Sequence, residues 1–273
     1  MSDSAPLNLD RIRQASFIRS VEWHDVISST NDRGMELARS TDVVTPTLIL
    51  AAEQTAGRGR GLNRWWSDRG ALTFSLVFDP DADLARRGAQ ALETDRWPRI
   101  ALAAGVALCD VLQVAVPKSP CSLKWPNDLL LAGKKVAGIL VEVPPLAPPA
   151  PRRLVLGMGW NVNNSLSTAP HEVRNVGTSF HDVAGIEFDI TQLLIDWLDH
   201  FARHLRSLAA GDPALPARWQ ALCSLTGREI ELLSGNRRVT GVCGGIDSDG
   251  ALLITTAAGP ERLYAGVLVR IIS

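Results

Sequence analysis

The spacing of apolar segments changes at Thr226, and this change limits the folds open to the chain. Before it, strand-like runs such as 47–53 alternate with helical patterns such as 98–116, an arrangement typical of an α/β domain. After it, short β segments follow one another, separated by turns. The sequence predicts an N-terminal segment over 1–20, a mixed-sheet α/β domain over 21–225 and a small β-barrel over 226–273.

Local signals predict the individual elements. Ser29 precedes an acidic residue by three positions, so we expect it to cap a helix that runs to Arg39. Gly133-Lys134 is expected to turn a hairpin, and the proline-rich 144–151 to form a surface loop. Further strands are predicted over 21–27, 71–78, 122–125, 129–131, 136–143, 154–162, 228–233, 238–246, 251–257 and 261–272, and further helices over 191–209 and 216–225.

Composition excludes some classes of function. The net charge is −1, so no overall basic field favours nucleic acid binding. The four cysteines lack metal-site spacing and are predicted to be buried free thiols, with zinc as the alternative. The N-terminus does not have the pattern of a secretory signal, and the apolar helix over 100–116 is shorter than a bilayer span of about 20 residues. We expect a soluble, cytoplasmic protein.

The run Gly57-Arg58-Gly59-Arg60-Gly61 directly follows the apolar segment 47–52. Glycine lets backbone N–H groups approach a ligand, and guanidinium groups bind carboxylate or phosphate with several donors. A solvated basic loop or an RNA-contacting segment would have similar residues, although RNA-binding tracts of this kind are repetitive. The single occurrence between two predicted strands favours an anion site.

Lys124-Trp125-Pro126-Asn127-Asp128 places a lysine, an amide and a carboxylate within one short segment. An ordinary turn explains it. In the functional interpretation Asp128 binds Mg²⁺, Asn127 contacts a phosphate and Lys124 adds positive charge. Lys135 precedes an apolar strand and could hold a carboxylate, or it could simply belong to the turn.

Two further patterns each allow more than one interpretation. The alternate glycines of Gly157-Met158-Gly159 leave one strand face without side chains, which fits either a flat ligand or close packing by a helix. His200 and His204 lack the glutamate of an HExxH motif, so solvated or capping roles are expected rather than a metal site. The sequence contains neither a Walker A motif nor a GxSxG motif.

Together these motifs resemble, in their residues and order, those of biotin–protein ligases, over about residues 20–273. The resemblance rests on five segments: Ser29-Thr30-Asn31, Gln54-Thr55-Ala56-Gly57-Arg58-Gly59-Arg60, Lys124-Trp125-Pro126-Asn127-Asp128, Lys135-Val136-Ala137-Gly138 and Gly157-Met158-Gly159-Trp160-Asn161. It implies that the second domain is an SH3-like barrel. It also implies formation of biotinyl-5′-AMP from biotin and ATP with Mg²⁺, then transfer to a lysine of a biotin carboxyl carrier protein.

The resemblance also implies site residues. Arg60, Lys135 and Asp128 would be catalytic, with Asp128 as the Mg²⁺ ligand. Biotin would contact Ser29, Thr30, Asn31, Gln54, Gly57, Arg58, Gly59, Arg60, Lys135, Gly138, Gly157 and Gly159, and ATP or the adenylate would contact Arg58, Arg60, Lys124, Asn127 and Asn161.

Two departures from the family pattern stand out. Asn63 occupies a loop position where many bacterial members have arginine, and Arg64 follows it. About 20 residues precede the catalytic domain, whereas a helix-turn-helix domain needs about 60. We therefore expect a monofunctional enzyme that binds neither DNA nor membrane; a homodimer is left open. The alternatives are a lipoate or octanoate ligase or transferase of the same fold, and a biotin-responsive regulator.

Overall fold

The computed structural model describes residues 7–145 and 152–272. Seven strands form the first sheet: β1 (Ser20–Ile27), β2 (Thr47–Gln54), β3 (Leu72–Phe78), β4 (Cys121–Lys124), β5 (Asp128–Leu131), β6 (Lys134–Glu142) and β7 (Leu154–Trp160). Their spatial order is β1-β2-β3-β7-β6-β5-β4. Only β1 and β2 pair in parallel, so the predicted mixed sheet is confirmed.

Eight α-helices surround this sheet: α1 (Leu9–Ala15), α2 (Thr30–Arg39), α3 (Pro80–Ala85), α4 (Ile100–Ala115), α5 (His171–Val176), α6 (Phe180–Ala184), α7 (Ile190–Ala210) and α8 (Ala214–Leu222), all within the described ranges. The long helices were predicted because their apolar residues repeat with helical period. The short helices α1, α3, α5 and α6 were missed, since one or two turns are too few to show a period. Helices α1, α3 and α6 begin with side-chain caps, such as that of Asn8, which accepts from Arg11 N.

Helix α2 covers one face of the sheet. Its N-cap is Ser29, as predicted, whose hydroxyl accepts a hydrogen bond from Asp32 N at 3.3 Å. Gly34 allows the close approach, because a Cβ there would lie 2.7 Å from Val155 Cγ1. This packing fixes the start of α2 directly above the centre of the sheet.

Helices α4 and α7 cover the opposite face. Trp197 of α7 stacks on Phe201 at 4.9 Å and meets Phe74 of β3 edge-on at 5.1 Å, and its indole N–H donates to Ala104 O. Together with a preceding 3₁₀ helix (Thr94–Arg99), α4 makes a 22-residue helical stretch, and the most apolar 18-residue window of this stretch has a mean hydropathy of 1.5. The expectation that this helix is too short for a bilayer was wrong, but 61% of its most apolar window is buried inside the protein, as in a core helix.

Two of the predicted boundaries that differ in the structure lie around β5, β6 and β7. The β5–β6 turn is Ala132-Gly133 rather than Gly133-Lys134, and both turn residues have positive φ (50° and 80°), which matches the twist of a tight hairpin. Strand β7 ends at Trp160, where the side chain of Asn164 accepts from Val162 N and turns the chain. Most of the predicted proline loop, residues 146–151, lies outside the described residues.

The second sheet is entirely antiparallel. Its strands are β8 (Glu229–Ser234), β9 (Arg237–Ile246), β10 (Leu252–Thr256), β11 (Gly259–Leu263) and β12 (Val267–Ile271), in the order β11-β10-β9-β8-β12. The predicted single segment 261–272 was wrong: the chain breaks after Leu263 and crosses to the far edge of the sheet. Within the described residues no ladder joins β11 to β12, so the fold is SH3-like without a closed barrel.

The second sheet is attached beside β4. The indole of Trp125 donates to Gly250 O at 3.1 Å, and that of Trp219 donates to Asp247 O at 2.9 Å.

The thiols are free, as predicted: Cys109, Cys223 and Cys243 are buried, whereas Cys121 is only half-buried.

Candidate active site

A cavity of about 1160 Å³ opens where β6 and β7 meet the start of α2 and the segment after β2. The sequence-predicted residues that line it are Ser29, Thr30, Asn31, Gln54, Arg58, Gly59, Arg60, Lys124, Asn127, Asp128, Lys135, Gly138, Gly157, Gly159 and Asn161. The second sheet contributes part of the wall through Gly266, Val267 and Leu268. The tertiary fold thus brings together, in one cavity, segments that lie more than 200 residues apart in the chain. Of the predicted site residues, only Gly57 is not part of the cavity lining.

One end of the cavity is neutral and polar. Gln54 Oε1 accepts from both Thr30 N at 2.7 Å and Thr30 Oγ1 at 3.0 Å. Ser29 and Thr30 are buried at the N-terminus of α2. Because the capping bond holds the start of this helix, these groups form a fixed set of donors and acceptors suited to an uncharged polar head group.

Asn31 occupies space that Gly157 leaves open. A Cβ at Gly157 would lie only 2.1 Å from Asn31 Oδ1. The same oxygen is 2.8 Å from Ser75 Oγ, and Asn31 Nδ2 donates to Glu142 Oε2 at 2.7 Å. The glycine therefore accommodates a side chain of α2 here, which matches the helix-packing alternative, and Gly157 also lines the cavity.

The glycine–arginine segment forms a small hairpin, Gly57–Trp65, which we call the loop hairpin. Gly57 O accepts from Trp65 N at 2.9 Å, and Asn63 O accepts from Gly59 N at 2.8 Å. Gly61 has φ of 65°, and the Asn63 amide donates to Arg60 O at 3.0 Å. Asn63 thus closes the turn, and both Asn63 and Arg64 border the cavity.

The two predicted anion-binding arginines have protein partners in this structure. Arg58 donates to both oxygens of Glu142 at 2.7 and 2.8 Å and to Asp32 Oδ1 at 2.9 Å. Burial lowers the pKa of the Arg58 guanidinium, but hydrogen bonds and charges from these carboxylates outweigh it and raise the pKa. Arg60 Nη1 donates to Gly266 O at 2.6 Å, which ties the loop hairpin to the second sheet.

Lys135, which was predicted to hold a carboxylate, and Asp128, which was predicted to bind Mg²⁺, form an ion pair. The distance from Lys135 Nζ to Asp128 Oδ1 is 2.6 Å, across the β5–β6 hairpin. The ammonium also lies 5.8 Å from the centre of the Trp65 ring. Lys135 is one-third exposed and lines the cavity.

Asn127 and Asn161, which were predicted to contact phosphate and adenine, donate hydrogen bonds to backbone carbonyls of the protein. Asn127 Nδ2 donates to Ile139 O at 2.8 Å, and Asn161 Nδ2 donates to Thr178 O at 3.1 Å. Asn161 Oδ1 in turn accepts from Asn164 at 3.1 Å. Lys124, by contrast, has no ion-pair partner among the described residues.

Trp65 covers the strand glycines that were expected to face the ligand. A Cβ at Gly159 would lie 2.1 Å from Trp65 Cε2, and one at Gly138 would lie 3.6 Å from Trp65 Cζ3. The indole N–H of Trp65 is buried and has no partner within the described chain. The flat surface above β6 and β7 is therefore formed by an aromatic ring that the loop hairpin carries.

The histidine prediction was wrong. His204 Nε2 lies 2.7 Å and His200 Nδ1 lies 3.3 Å from Asp110 Oδ2 on α4, and Arg218 contacts the other carboxylate oxygen at 2.5 Å. Burial raises the pKa of Asp110, but His204 and Arg218 outweigh it and hold the pKa below its usual value. Asp110, His200 and His204 each offer one atom that could ligate a metal, and these three atoms lie within 4.8 Å of one another. None of the three residues lines the cavity.

Side chains at or beside the site that were not predicted as site residues include Asp32, Trp65, Ser75 and Glu142. Glu142 had a detectable signal, since it is an acid at the end of an apolar strand. Trp65 stands four positions after Gly61, the last residue of the glycine–arginine run. Ser75 lies inside a buried apolar strand and had no signal of its own.

Comparisons with known proteins agree with this geometry. Residues 23–159 match the biotin/lipoate A/B protein ligase family, and residues 225–269 match the biotin protein ligase C-terminal domain. The bifunctional ligase/repressor BirA of Bacillus subtilis is 31% identical over 245 residues, which are 89% of this chain and 71% of that protein. The biotin–[acetyl-CoA-carboxylase] ligase of Mycobacterium tuberculosis is 30% identical over 253 residues, which are 90% and 88% of the two chains.

A solved structure has the same fold. The biotin protein ligase of Aquifex aeolicus in complex with biotin and ATP superposes with a TM-score of 0.77 at 26% identity, covering 92% of this chain and 98% of that one. The chain belongs to the biotin/lipoate A/B protein ligase family. Within it the match to the biotin protein ligase C-terminal domain identifies an enzyme of the biotin–protein ligase type, as the motifs predicted.

Proposed function

We propose that this ligase joins biotin to ATP as biotinyl-5′-AMP and then transfers the biotinyl group to a lysine of a biotin carboxyl carrier protein. One observation carries the proposal. A single cavity holds an uncharged polar end at Thr30 and Gln54 and a cationic end at Lys124 and Lys135. An acid with an uncharged polar head and a triphosphate match these two ends.

In the first step a carboxylate oxygen attacks the α-phosphorus of ATP, and pyrophosphate leaves. Both reactants are anions, so cations must offset their repulsion before the atoms can align. Lys135 would hold the carboxylate oxygen, and Lys124 would face the phosphates. Arg60 and the loop hairpin would move over the mixed anhydride, which requires Arg60 to leave Gly266 O.

A Mg²⁺ ion would fit at Asp128 on the chemistry of its donor. Mg²⁺ usually takes one or two protein carboxylates and completes its shell with phosphate oxygens and water. Asp128 supplies one carboxylate at the cavity wall and is balanced by Lys135. When bound, the ion would neutralise charge on the leaving pyrophosphate.

In the second step the amine of the carrier lysine attacks the acyl carbon, AMP leaves and the amine loses a proton. Until then the mixed anhydride must be shielded from water. The loop hairpin suits this role, because it lies at the cavity mouth between α2 and the second sheet and is held there by side-chain contacts at Arg58 and Arg60. The carrier as acceptor, the cytoplasmic location and the absence of DNA binding stay predictions.

The direct test is to incubate the protein with ATP, Mg²⁺, biotin and a carrier domain and to probe the carrier with streptavidin. We expect a streptavidin-reactive carrier only when all four components are present. Replacing biotin by lipoate or octanoate tests the other acids used within the family. Pyrophosphate release with either of those acids, and none with biotin, would contradict the proposal.

A further inference from the structure

Glu142 connects two parts of the site that are far apart in the chain. Its Oε1 accepts from Arg58 Nη2 at 2.7 Å, and its Oε2 accepts from Arg58 Nη1 at 2.8 Å and from Asn31 Nδ2 at 2.7 Å. Glu142 itself does not line the cavity. Any effect on the ligand must therefore act through its two partners.

The connection continues to the polar end of the cavity. Ser75 Oγ lies 2.8 Å from both Asn31 Oδ1 and Thr30 Oγ1, and Thr30 Oγ1 donates to Gln54 Oε1. Ser75 and Asn31 are buried, so water does not compete for these bonds. The Thr30 and Ser75 hydroxyls carry two protons for three oxygen–oxygen contacts, so they do not form a continuous chain by themselves. The backbone N–H of Thr30, the residue before Asn31 in α2, also donates to Gln54 Oε1 and completes the connection from Gln54 through Asn31 and Glu142 to the guanidinium of Arg58.

Further contacts hold both ends of this connection in place. Both polar atoms of the Asn31 amide are engaged, and its Oδ1 occupies the place of a Gly157 side chain. Arg58 contacts Asp32 as well as Glu142, and Asp32 belongs to the first turn of α2. The loop hairpin is therefore attached to the same helix start that forms the polar end of the cavity.

We propose that Glu142 is a positioning residue that couples occupancy of the polar end of the cavity to the placement of the loop hairpin. The inference rests on the proposed function. A head group that bonds Thr30 and Gln54 stiffens the Ser75–Asn31 contacts and so favours the Glu142–Arg58 pair. The loop hairpin then stays over the acyl-adenylate until the carrier arrives.

The decisive variant is Glu142→Gln, which keeps the shape and one acceptor oxygen but loses the charge. We expect biotinyl-AMP to dissociate about tenfold faster or more, the size expected for one charge-assisted hydrogen bond. KM for biotin should rise by a similar factor, whereas kcat should change less than about threefold, because Glu142 does not touch the reacting atoms. The measurements are retention of radiolabelled biotinyl-AMP through rapid gel filtration and steady-state release of pyrophosphate.

Glu261→Gln is the matched control. Glu261 also receives both Nη groups of one arginine, Arg237, but on the second sheet and away from the cavity. This variant should retain the adenylate like wild type. Arg58→Gln should reproduce the loss, and combining it with Glu142→Gln should add little, since both changes remove the same contact.

Each outcome decides the inference. Adenylate retention within about twofold of wild type in folded Glu142→Gln overturns it, as does a fall in kcat with unchanged retention. If Glu142→Gln does not fold, normal retention by Arg58→Gln overturns it equally. A wild-type protein that releases no pyrophosphate with biotin contradicts the proposed function instead.

Discussion

Replacing Lys135 by alanine tests the proposed chemistry most sharply. Its ammonium is 2.6 Å from Asp128 Oδ1 and faces the cavity. In the proposed first step it stabilises the reacting carboxylate. Lys135→Ala should therefore slow the formation of biotinyl-AMP far more than it lowers the free energy of unfolding.

The two effects differ in expected size. A charge-assisted hydrogen bond to the reacting group is worth about 1.5–3 kcal/mol. At 1.36 kcal/mol for each factor of ten, kcat/KM for biotin should fall about 13- to 160-fold. The Lys135 and Asp128 side chains are 34% and 23% exposed, and such pairs contribute only about 0.2–1 kcal/mol to stability.

The assay is biotin-dependent release of pyrophosphate, with urea denaturation measured on the same samples. Lys118→Ala is the control, because Lys118 is exposed and remote from the cavity lining. Formation of biotinyl-AMP at the wild-type rate would refute the reasoning. Lys135 would then act only as the partner of Asp128.

Three further predictions follow from the contacts. Arg60→Ala should slow adenylation and release biotinyl-AMP early, because it removes about 1.5–3 kcal/mol of cationic contact; normal pyrophosphate release and normal retention would contradict this. Gly157→Ala should weaken biotin binding in calorimetry, since its Cβ would lie 2.1 Å from Asn31 Oδ1, and unchanged affinity would show that Asn31 can move freely. Asp110→Asn should lower the free energy of unfolding by about 1–3 kcal/mol at pH 7. The folded-state pKa of Asp110 is depressed, so this stability is complete above the unfolded value of about 3.9 and is lost as pH falls through the folded pKa. Denaturation curves of wild type and Asp110→Asn should converge at low pH, and a constant difference would contradict that assignment.

Local signals in the sequence were sufficient for the main elements. Ser29 and Asp32 are three residues apart, so the cap of α2 was predictable without knowing what the helix packs against. The apolar stripe of α7 and the strands β8, β9 and β10 were equally predictable. The residues and order of the glycine, arginine and lysine motifs carried the resemblance to the family, and those residue types are suited to bind anions.

The tertiary structure was needed to learn which side chains bond to one another. Arg58 and Glu142 are 84 positions apart, and they meet only because the register of β6 and the packing of α2 bring them together. Likewise, Asp110 pairs with His204 only because α4 packs on α7, so the expectation of solvated histidines was wrong. The sequence by itself determined which residue types could form the site. The tertiary structure decided which of them bond to one another, because those bonds join segments whose relative position no local pattern encodes.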